Sequence, residues 1–294
     1  MQEGRITKAL SGFYYVQNAS GTYQCRGRGV FRKRKVSPLV GDFVKFDYDS
    51  ENEGYILEIE ERKNELVRPP IANIDQAIIV SSAVMPDFSP LLLDRFLVLI
   101  EAKSIEPLIF ISKMDLAPAE TVQEIERYKK GYEAIGYTVE LISSKEPDEA
   151  KHVFPHLKEK VSVVAGQSGV GKTSMLNALD DELLLKTEKI SKSLGRGKHT
   201  TRHVELIEIG GGLVADTPGF STLEFQDIEA EELSACFPEM DRLRDQCKYR
   251  GCLHAKEPGC AVKAAVDAGS IFQHRYDHYL RFLQEIQTRK PRYS

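Results

Sequence analysis

The sequence predicts a multidomain chain: a small all-β barrel, then an α/β unit built on a mostly parallel sheet, then a mainly helical unit that carries cysteines. Three observations lead there. Short alternating β-rich runs broken by glycines and polar turns fill the first part, and apolar strands alternate with helical stretches through the middle. After Phe220 the β signal stops, and three cysteines crowd between Cys247 and Cys260. At 294 residues the chain is long for one compact core, and the expected units are 1–68, 69–220 and 221–294. A hydrophobic share of 41% with 29% charged residues suits a folded, water-exposed protein. No apolar run approaches the roughly 20 residues that span a bilayer. The opening MQEGRITKAL lacks the charged-then-apolar layout of a secretory signal, so the expected compartment is the cytosol and no membrane partner is expected.

The barrel rests on runs such as Phe13 to Val16, Asp42 to Phe46 and Tyr55 to Ile59. Between Gln24 and Val36 lie Arg26, Arg28, Arg32, Lys33, Arg34 and Lys35 with no acidic residue, and Phe31 falls among them. Such a loop is suited to grip RNA phosphates while an aromatic ring stacks on a base; a solvated charged hairpin is the alternative. The C-terminal unit adds Lys248, Arg250, Arg281, Arg289, Lys290 and Arg292, so both ends could meet RNA although the net charge is −4. Arg68-Pro69-Pro70 forces an extended stretch and reads as the first joint.

Beyond the joint, buried strands are expected at Gln76 to Val80, Pro107 to Ser112, Thr138 to Ile142, Val161 to Ala165, Val204 to Ile209 and Gly212 to Asp216. Helices are expected at Leu92 to Ala102 and Thr121 to Ile135. Gly166-Gln167-Ser168-Gly169-Val170-Gly171-Lys172-Thr173 fits the Walker A pattern between the strand ending at Ala165 and a helix holding Met175, Leu176 and Leu179, with Ser174 counted among the nucleotide-binding residues. The glycines let backbone N–H groups surround phosphates, Lys172 reaches the outer ones, and Thr173 ligates magnesium.

The base is read elsewhere. Ser112-Lys113-Met114-Asp115 follows an apolar strand and is similar to the Asn-Lys-x-Asp motif of GTPases. The Asp115 carboxylate can accept from both the ring N–H and the exocyclic amine of guanine, a donor pair that adenine lacks. Ser112 replaces the usual asparagine and cannot donate and accept as an amide does, which weakens the expected guanine selectivity and keeps an ATPase or kinase open. Lys113 and Asp115 could equally end a strand and open a helix. Ser143-Ser144-Lys145 resembles the small-residue loop that completes a guanine pocket.

Asp216-Thr217-Pro218-Gly219 ends the last strand, where a magnesium-coordinating aspartate and a γ-phosphate-sensing glycine belong. Between it and the Walker loop lies Gly195-Arg196-Gly197-Lys198-His199-Thr200-Thr201, a loop from which Thr201, or alternatively Thr200, could close over magnesium. Phe220 stands where many GTPases place a water-orienting glutamine.

Ordinary GTPases read Walker loop, switch threonine, Asp-x-x-Gly and then the guanine motifs, whereas here the guanine tetrapeptide comes first and Asp216 last. The central unit therefore reads as a circularly permuted P-loop GTPase domain. That order, with the barrel-like start and the cysteine-rich end, resembles the ribosome small-subunit-dependent GTPase A family (RsgA, also called YjeQ or YloQ) along essentially the whole chain. The resemblance implies an N-terminal OB-fold, a permuted GTPase domain and a C-terminal zinc domain, with GTP hydrolysis stimulated by the small ribosomal subunit during its late maturation. It implies GTP or GDP, the small subunit and its rRNA as partners, and a monomer. It also assigns His199 a catalytic role, with Thr201 beside it.

Cys247, Cys252, His254 and Cys260 supply three thiolates and an imidazole within fourteen residues, enough for a closed tetrahedral zinc site; the spacing alone leaves reduced, unligated cysteines as an alternative. The resemblance has zinc ligands at these positions. Cys25 and Cys236 stand apart as ordinary thiols. The helical stripe Phe272, Tyr276, Tyr279, Leu280 and Leu283 is expected to pack a core.

Overall fold

A computed structural model describes residues 1–29, 31, 36–50, 53–143, 153–179, 204–216 and 223–289, with backbone alone at 177–179 and 216. The expected roles of Arg32, Lys33, Arg34, Lys35, Ser144, Lys145, His199, Thr200, Thr201, Gly219 and Phe220 fall outside the described residues.

The first unit is a closed ring of strands: β1 (Gln2–Leu10), β2 (Phe13–Asn18), β3 (Gly21–Gly27), β4 (Phe43–Ser50) and β5 (Glu53–Ile59). They pair in the order β1-β2-β3-β5-β4, and β4 returns to β1, so no edge is left inside the ring. Alternate residues point inward, and Ile6, Val16, Cys25, Val44, Phe46 and Ile56 fill the interior without solvent contact. Phe31 corrects the expectation from sequence: it is 7% exposed and belongs to this core, so its ring seals the barrel and is not available to stack on a base.

At the joint, β6 (Glu65–Leu66) and β7 (Ile71–Ala72) form a short antiparallel ladder around the prolines. Beneath it Arg62 grips the fully buried Asp42 in two bonds of 2.7 and 2.8 Å, and Asp42 also accepts from Leu39 N at 2.7 Å. This joint is packed rather than a free linker.

The central sheet contains β8 (Gln76–Ser82), β9 (Glu106–Ser112), β10 (Thr138–Leu141), β11 (Val161–Ala165), β12 (Val204–Ile209) and β13 (Gly212–Asp216). The strand order is β10-β9-β8-β11-β13-β12, parallel except for the antiparallel β12. Every residue of β11 is buried, as a strand covered on both faces requires. Helix α1 (Pro90–Glu101) starts with Ser89 as N-cap, its hydroxyl accepting from Leu92 N, and with proline in the first turn. Helix α2 (Ala119–Ile135) stops at Gly136, which takes a left-handed conformation. A short α3 (Phe154–Leu157) precedes β11, and α4 (Lys172–Leu179) follows it.

The C-terminal unit has α5 (Pro238–Asp241), α6 (Ala261–Asp267) and α7 (Gln273–Thr288), around a core of Phe237, Tyr279, Phe282, Leu283 and Ile286. Of the stripe expected from sequence, Phe272 departs: it precedes α7 as the N-cap residue and is 40% exposed. Phe282 and Ile286 take the inward positions instead, because the apolar face follows the helix and not the residue before it.

Candidate functional site

Two segments from distant parts of the chain, one of them glycine-rich, meet at the C-terminal ends of the parallel strands, where ligands bind in open α/β sheets. The first is the loop 166–171 between β11 and α4. Gly166 has φ +139, and a Cβ there would lie 2.2 Å from Val80 O, so only glycine lets the loop pass so close to β8. The loop then turns into α4, at whose start Met175 N donates to Gly171 O at 2.8 Å. Gln167, Ser168, Gly169, Thr173 and Ser174 are exposed at the mouth, while Gly166 and Val170 are buried beneath it.

Lys172 folds back along the loop, its ammonium donating to Gly166 O at 2.8 Å and Gln167 O at 2.7 Å. Burial pulls its pKa below the ordinary lysine value, because loss of water disfavours the charged ammonium.

The second segment follows β9. Ser112 is 4% exposed, and its hydroxyl lies 2.5 Å from Val170 O and 3.1 Å from Ser81 O. One hydroxyl proton serves the nearer carbonyl best, so Ser112 fastens the end of β9 to the phosphate loop. Lys113 takes a left-handed φ of 59 and donates to Gly169 O at 2.7 Å and also to Met85 O. Met114 N donates to Ile142 O at 3.4 Å, which carries β10 and the buried Ser143 alongside. Asp115 lies exposed on the single 3-10 turn Met114–Leu116. The tetrapeptide and the phosphate loop thus form one rim, although 53 positions separate Lys113 from Gly166. Sequence reasoning missed Met85 O, a backbone acceptor with no side-chain signature; the Met85-Pro86 pair at the end of β8 was the available sign of a turn there.

β13 brings the backbone of Asp216 to the same end of the sheet, in register with Glu205 of β12.

A separate cluster lies in the helical unit. Cys247, Cys252, His254 and Cys260 offer ligand atoms that all lie within 4.8 Å of one another. Cys247 Sγ is 3.5 Å from His254 Nδ1 and 3.9 Å from Cys260 Sγ, and His254 Nδ1 is 3.3 Å from Cys260 Sγ. A tetrahedral ion with sulfur at 2.3 Å sets sulfur-to-sulfur edges of about 3.8 Å, so the donor set fits such an ion. Burial pushes the Cys252 thiol up to about 12, with Cys260 and Cys247 adding to it; a divalent cation among these sulfurs reverses that preference. The loop is held from both sides. The Glu257 carboxylate accepts from Leu253 N at 2.9 Å and Ala255 N at 3.0 Å, and Tyr276 OH and Tyr279 OH donate to His254 O and Leu253 O at 2.7 Å.

A family model described as the RsgA N-terminal domain matches residues 3–56, and one described as RsgA GTPase matches residues 59–226, more than half of the chain. The chain belongs to the RsgA GTPase family. A protein of Oceanobacillus iheyensis called small ribosomal subunit biogenesis GTPase RsgA 2 is 66% identical, each chain covered in full. The small ribosomal subunit biogenesis GTPase RsgA of Bacillus subtilis is 58% identical, again over the whole of both. The crystal structure of YloQ, described as a circularly permuted GTPase, superposes with a TM-score of 0.85 at 54% identity, covering 100% of this chain and 97% of that one. YjeQ from Thermotoga maritima gives 0.86 at 34% identity, covering 98% and 99%. The chain combines a five-stranded barrel, a circularly permuted GTPase domain and a helical region with a Cys/His cluster. Among the described residues no helix is long and apolar enough to cross a membrane.

Proposed function

We propose that the chain hydrolyses GTP to GDP and phosphate as a maturation factor of the small ribosomal subunit, working on that subunit in the cytoplasm and contacting its rRNA. One observation carries the nucleotide half: Lys113 and Ser112 reach Gly169 O and Val170 O, so a base read by Asp115 and phosphates held by Lys172 belong to one cavity. Membership of the RsgA family, and the printed names of relatives matched over their full length, support the ribosomal half.

In this reading Asp115 accepts from the guanine edge, Lys113 lies along the base, and Ser143 and Ser144 close its far side. Ser112 supports the pocket indirectly, since its hydroxyl donates to Val170 O and so holds the phosphate loop. The loop N–H groups from Gln167 to Thr173 meet the phosphates, with Ser174 beside them in the first turn of α4. Lys172 exchanges its two carbonyl acceptors for phosphate oxygens as substrate enters. Magnesium, when bound, neutralises charge on the phosphate oxygens; Thr173, Asp216 and Thr201 are its proposed holders. Gly219 senses the γ-phosphate. His199 positions the attacking water, a task that Phe220 cannot perform because it has no hydrogen-bonding group. Zinc is the proposed ion of the Cys247, Cys252, His254 and Cys260 cluster, where it supplies a structural crosslink between the loop and α6; the chain is proposed to act as a monomer.

The test is GTP turnover with and without small ribosomal subunits, for the wild-type chain and for His199→Ala, with ATP as competitor. Stimulation by subunits, insensitivity to ATP and loss of most stimulated turnover in His199→Ala with GTP binding retained are expected. Absence of stimulation would instead favour a structural RNA-binding protein with a vestigial nucleotide site.

A further inference from the structure

The barrel is joined to the GTPase sheet by strand pairing as well as by the joint. Strand β1 is shared. Its first half, Gln2 to Arg5, pairs with β4 and closes the barrel, whereas Lys8 and Ala9 pair antiparallel with Glu205 and Val204 of β12. Between the halves the register of β1 against β2 shifts between Ile6 and Lys8, a bulge of the kind that bends a strand and re-aims it. The barrel therefore pairs with the start of the outer edge of the GTPase sheet, at Val204 and Glu205 of β12.

The seam has a particular position along β12. It grips the first two residues of that strand, not its far end at Ile209. Val204 lies three positions after Thr201 in sequence, and Glu205 is in register on its other side with Asp216 of β13. One row of backbone pairs thus runs from Tyr15 through Lys8 and Glu205 to Asp216. Side chains reinforce the row: Lys8 Nζ is 2.9 Å from the Glu205 carboxylate and 5.9 Å from the centroid of the Tyr15 ring. A displacement of β1 acts on β12 at Glu205, the residue that stands opposite Asp216 in the β12–β13 pairing.

We infer that Lys8 is a positioning residue for GTP hydrolysis: with the β1 ladder it sets the start of β12, and through it the strand that ends at Asp216, so that a load on the barrel is felt at the nucleotide. This rests on the GTPase reading above. Lys8 does not touch nucleotide; it acts through Glu205.

The experiment measures GTP turnover on small ribosomal subunits for the full-length chain, Lys8→Glu, Glu205→Lys and the double exchange. A single charge reversal turns attraction into repulsion at the seam, and we expect stimulated kcat to fall about three- to tenfold with KM for GTP within about twofold. The double exchange should recover most of the loss. Single variants with wild-type kcat, or a double exchange no better than the poorer single variant, would overturn the inference. Co-sedimentation with the subunit guards against another cause: a loss of subunit binding that the double exchange leaves unrepaired would make Lys8 an RNA contact and would also overturn it. A measurement without ribosomes separates this inference from the functional reading. Backbone amide exchange over 204–209 and 212–216, in the GDP-bound chain, should be faster in Lys8→Glu than in the wild type. Equal exchange rejects the seam; faster exchange beside unstimulated wild-type turnover rejects only the ribosomal role.

Discussion

Where β1 meets β12, two register pairs and one partly exposed ion pair make a seam, beside a packed joint and a core that runs on from barrel to sheet; the helical unit meets α1 through Arg275 and Asp94, neither with any solvent exposure. Arg275 lies 2.6 Å from Asp94 and 2.7 Å from Glu239, and its guanidinium centre is 4.5 Å from the Phe237 ring centroid. Asp94 in turn accepts from Tyr132 OH at 2.7 Å and contacts His278 Nδ1 at 2.6 Å. Four elements, α1, α2, α5 and α7, converge on this one arginine. A backbone ladder can bend and still keep its bonds, whereas a desolvated charge set has one good geometry and a large cost for any other. The difference teaches that the two flanking units are fastened for different purposes. The helical unit is locked onto the helices that follow β8 and β9, and the barrel is hinged through β1 to the first residues of β12.

The largest expected effect comes from breaking the lock. Arg275→Ala leaves Asp94 and Glu239 buried without their cation, and removal of one partner from a buried pair costs about 3 to 5 kcal/mol. Denaturant unfolding of the variant would measure it. A loss below about 1 kcal/mol would mean that water enters the network and that the contrast between the seams is false.

Acid should weaken the lock. Burial alone would raise the Asp94 carboxyl, but Arg275, His278 and Tyr132 together outweigh that and hold it below the ordinary carboxylate value. A group whose folded-state pKa is depressed stabilises fully above its unfolded value and loses that contribution as pH falls through the folded one. Stability should therefore decline below about pH 4, where an unfolded aspartate begins to take up its proton. Asp94→Asn, less stable at neutral pH, should show a shallower decline over the same range in denaturation at a series of pH values. Identical slopes would remove Asp94 from the acid response.

Much of the frame was legible from residues alone, for reasons that these seams make concrete. β11, β12 and β13 were readable because apolar runs bounded by glycine or charge have few other solutions, and the loop 166–171 because phosphate binding demands its glycines. The four ligand candidates of the helical unit stand close in sequence, so proximity in space followed from a short loop. Arg275 was not legible. A lone arginine in a polar helix such as Gln273–Thr288 reads as a solvated face, and only the meeting of four elements reveals its burial. β1 was not among the runs singled out for the barrel, and a two-residue period shows at best which face of a strand is buried, not which partner its edges choose. Phe31 misled for a related reason: an aromatic among arginines suits RNA stacking and barrel sealing equally, and only the closed ring of strands decides between them.

The smallest expected effect on stability, from Lys8→Met, sharpens the comparison most. The Lys8 and Glu205 side chains are 30% and 37% exposed, and pairs of that kind contribute about 0 to 1 kcal/mol. The β1 ladder does not need the ammonium, because its bonds are made by backbone groups. Denaturant midpoints for Lys8→Met should therefore lie close to wild type, while Arg275→Ala moves far from it. If stimulated turnover nevertheless falls in Lys8→Met, the hinge acts on the reaction without supporting the fold, which is what separates a positioning contact from a structural one. A midpoint shift as large as that of Arg275→Ala would show instead that the barrel is locked as firmly as the helical unit, and the two seams would then be one kind of joint.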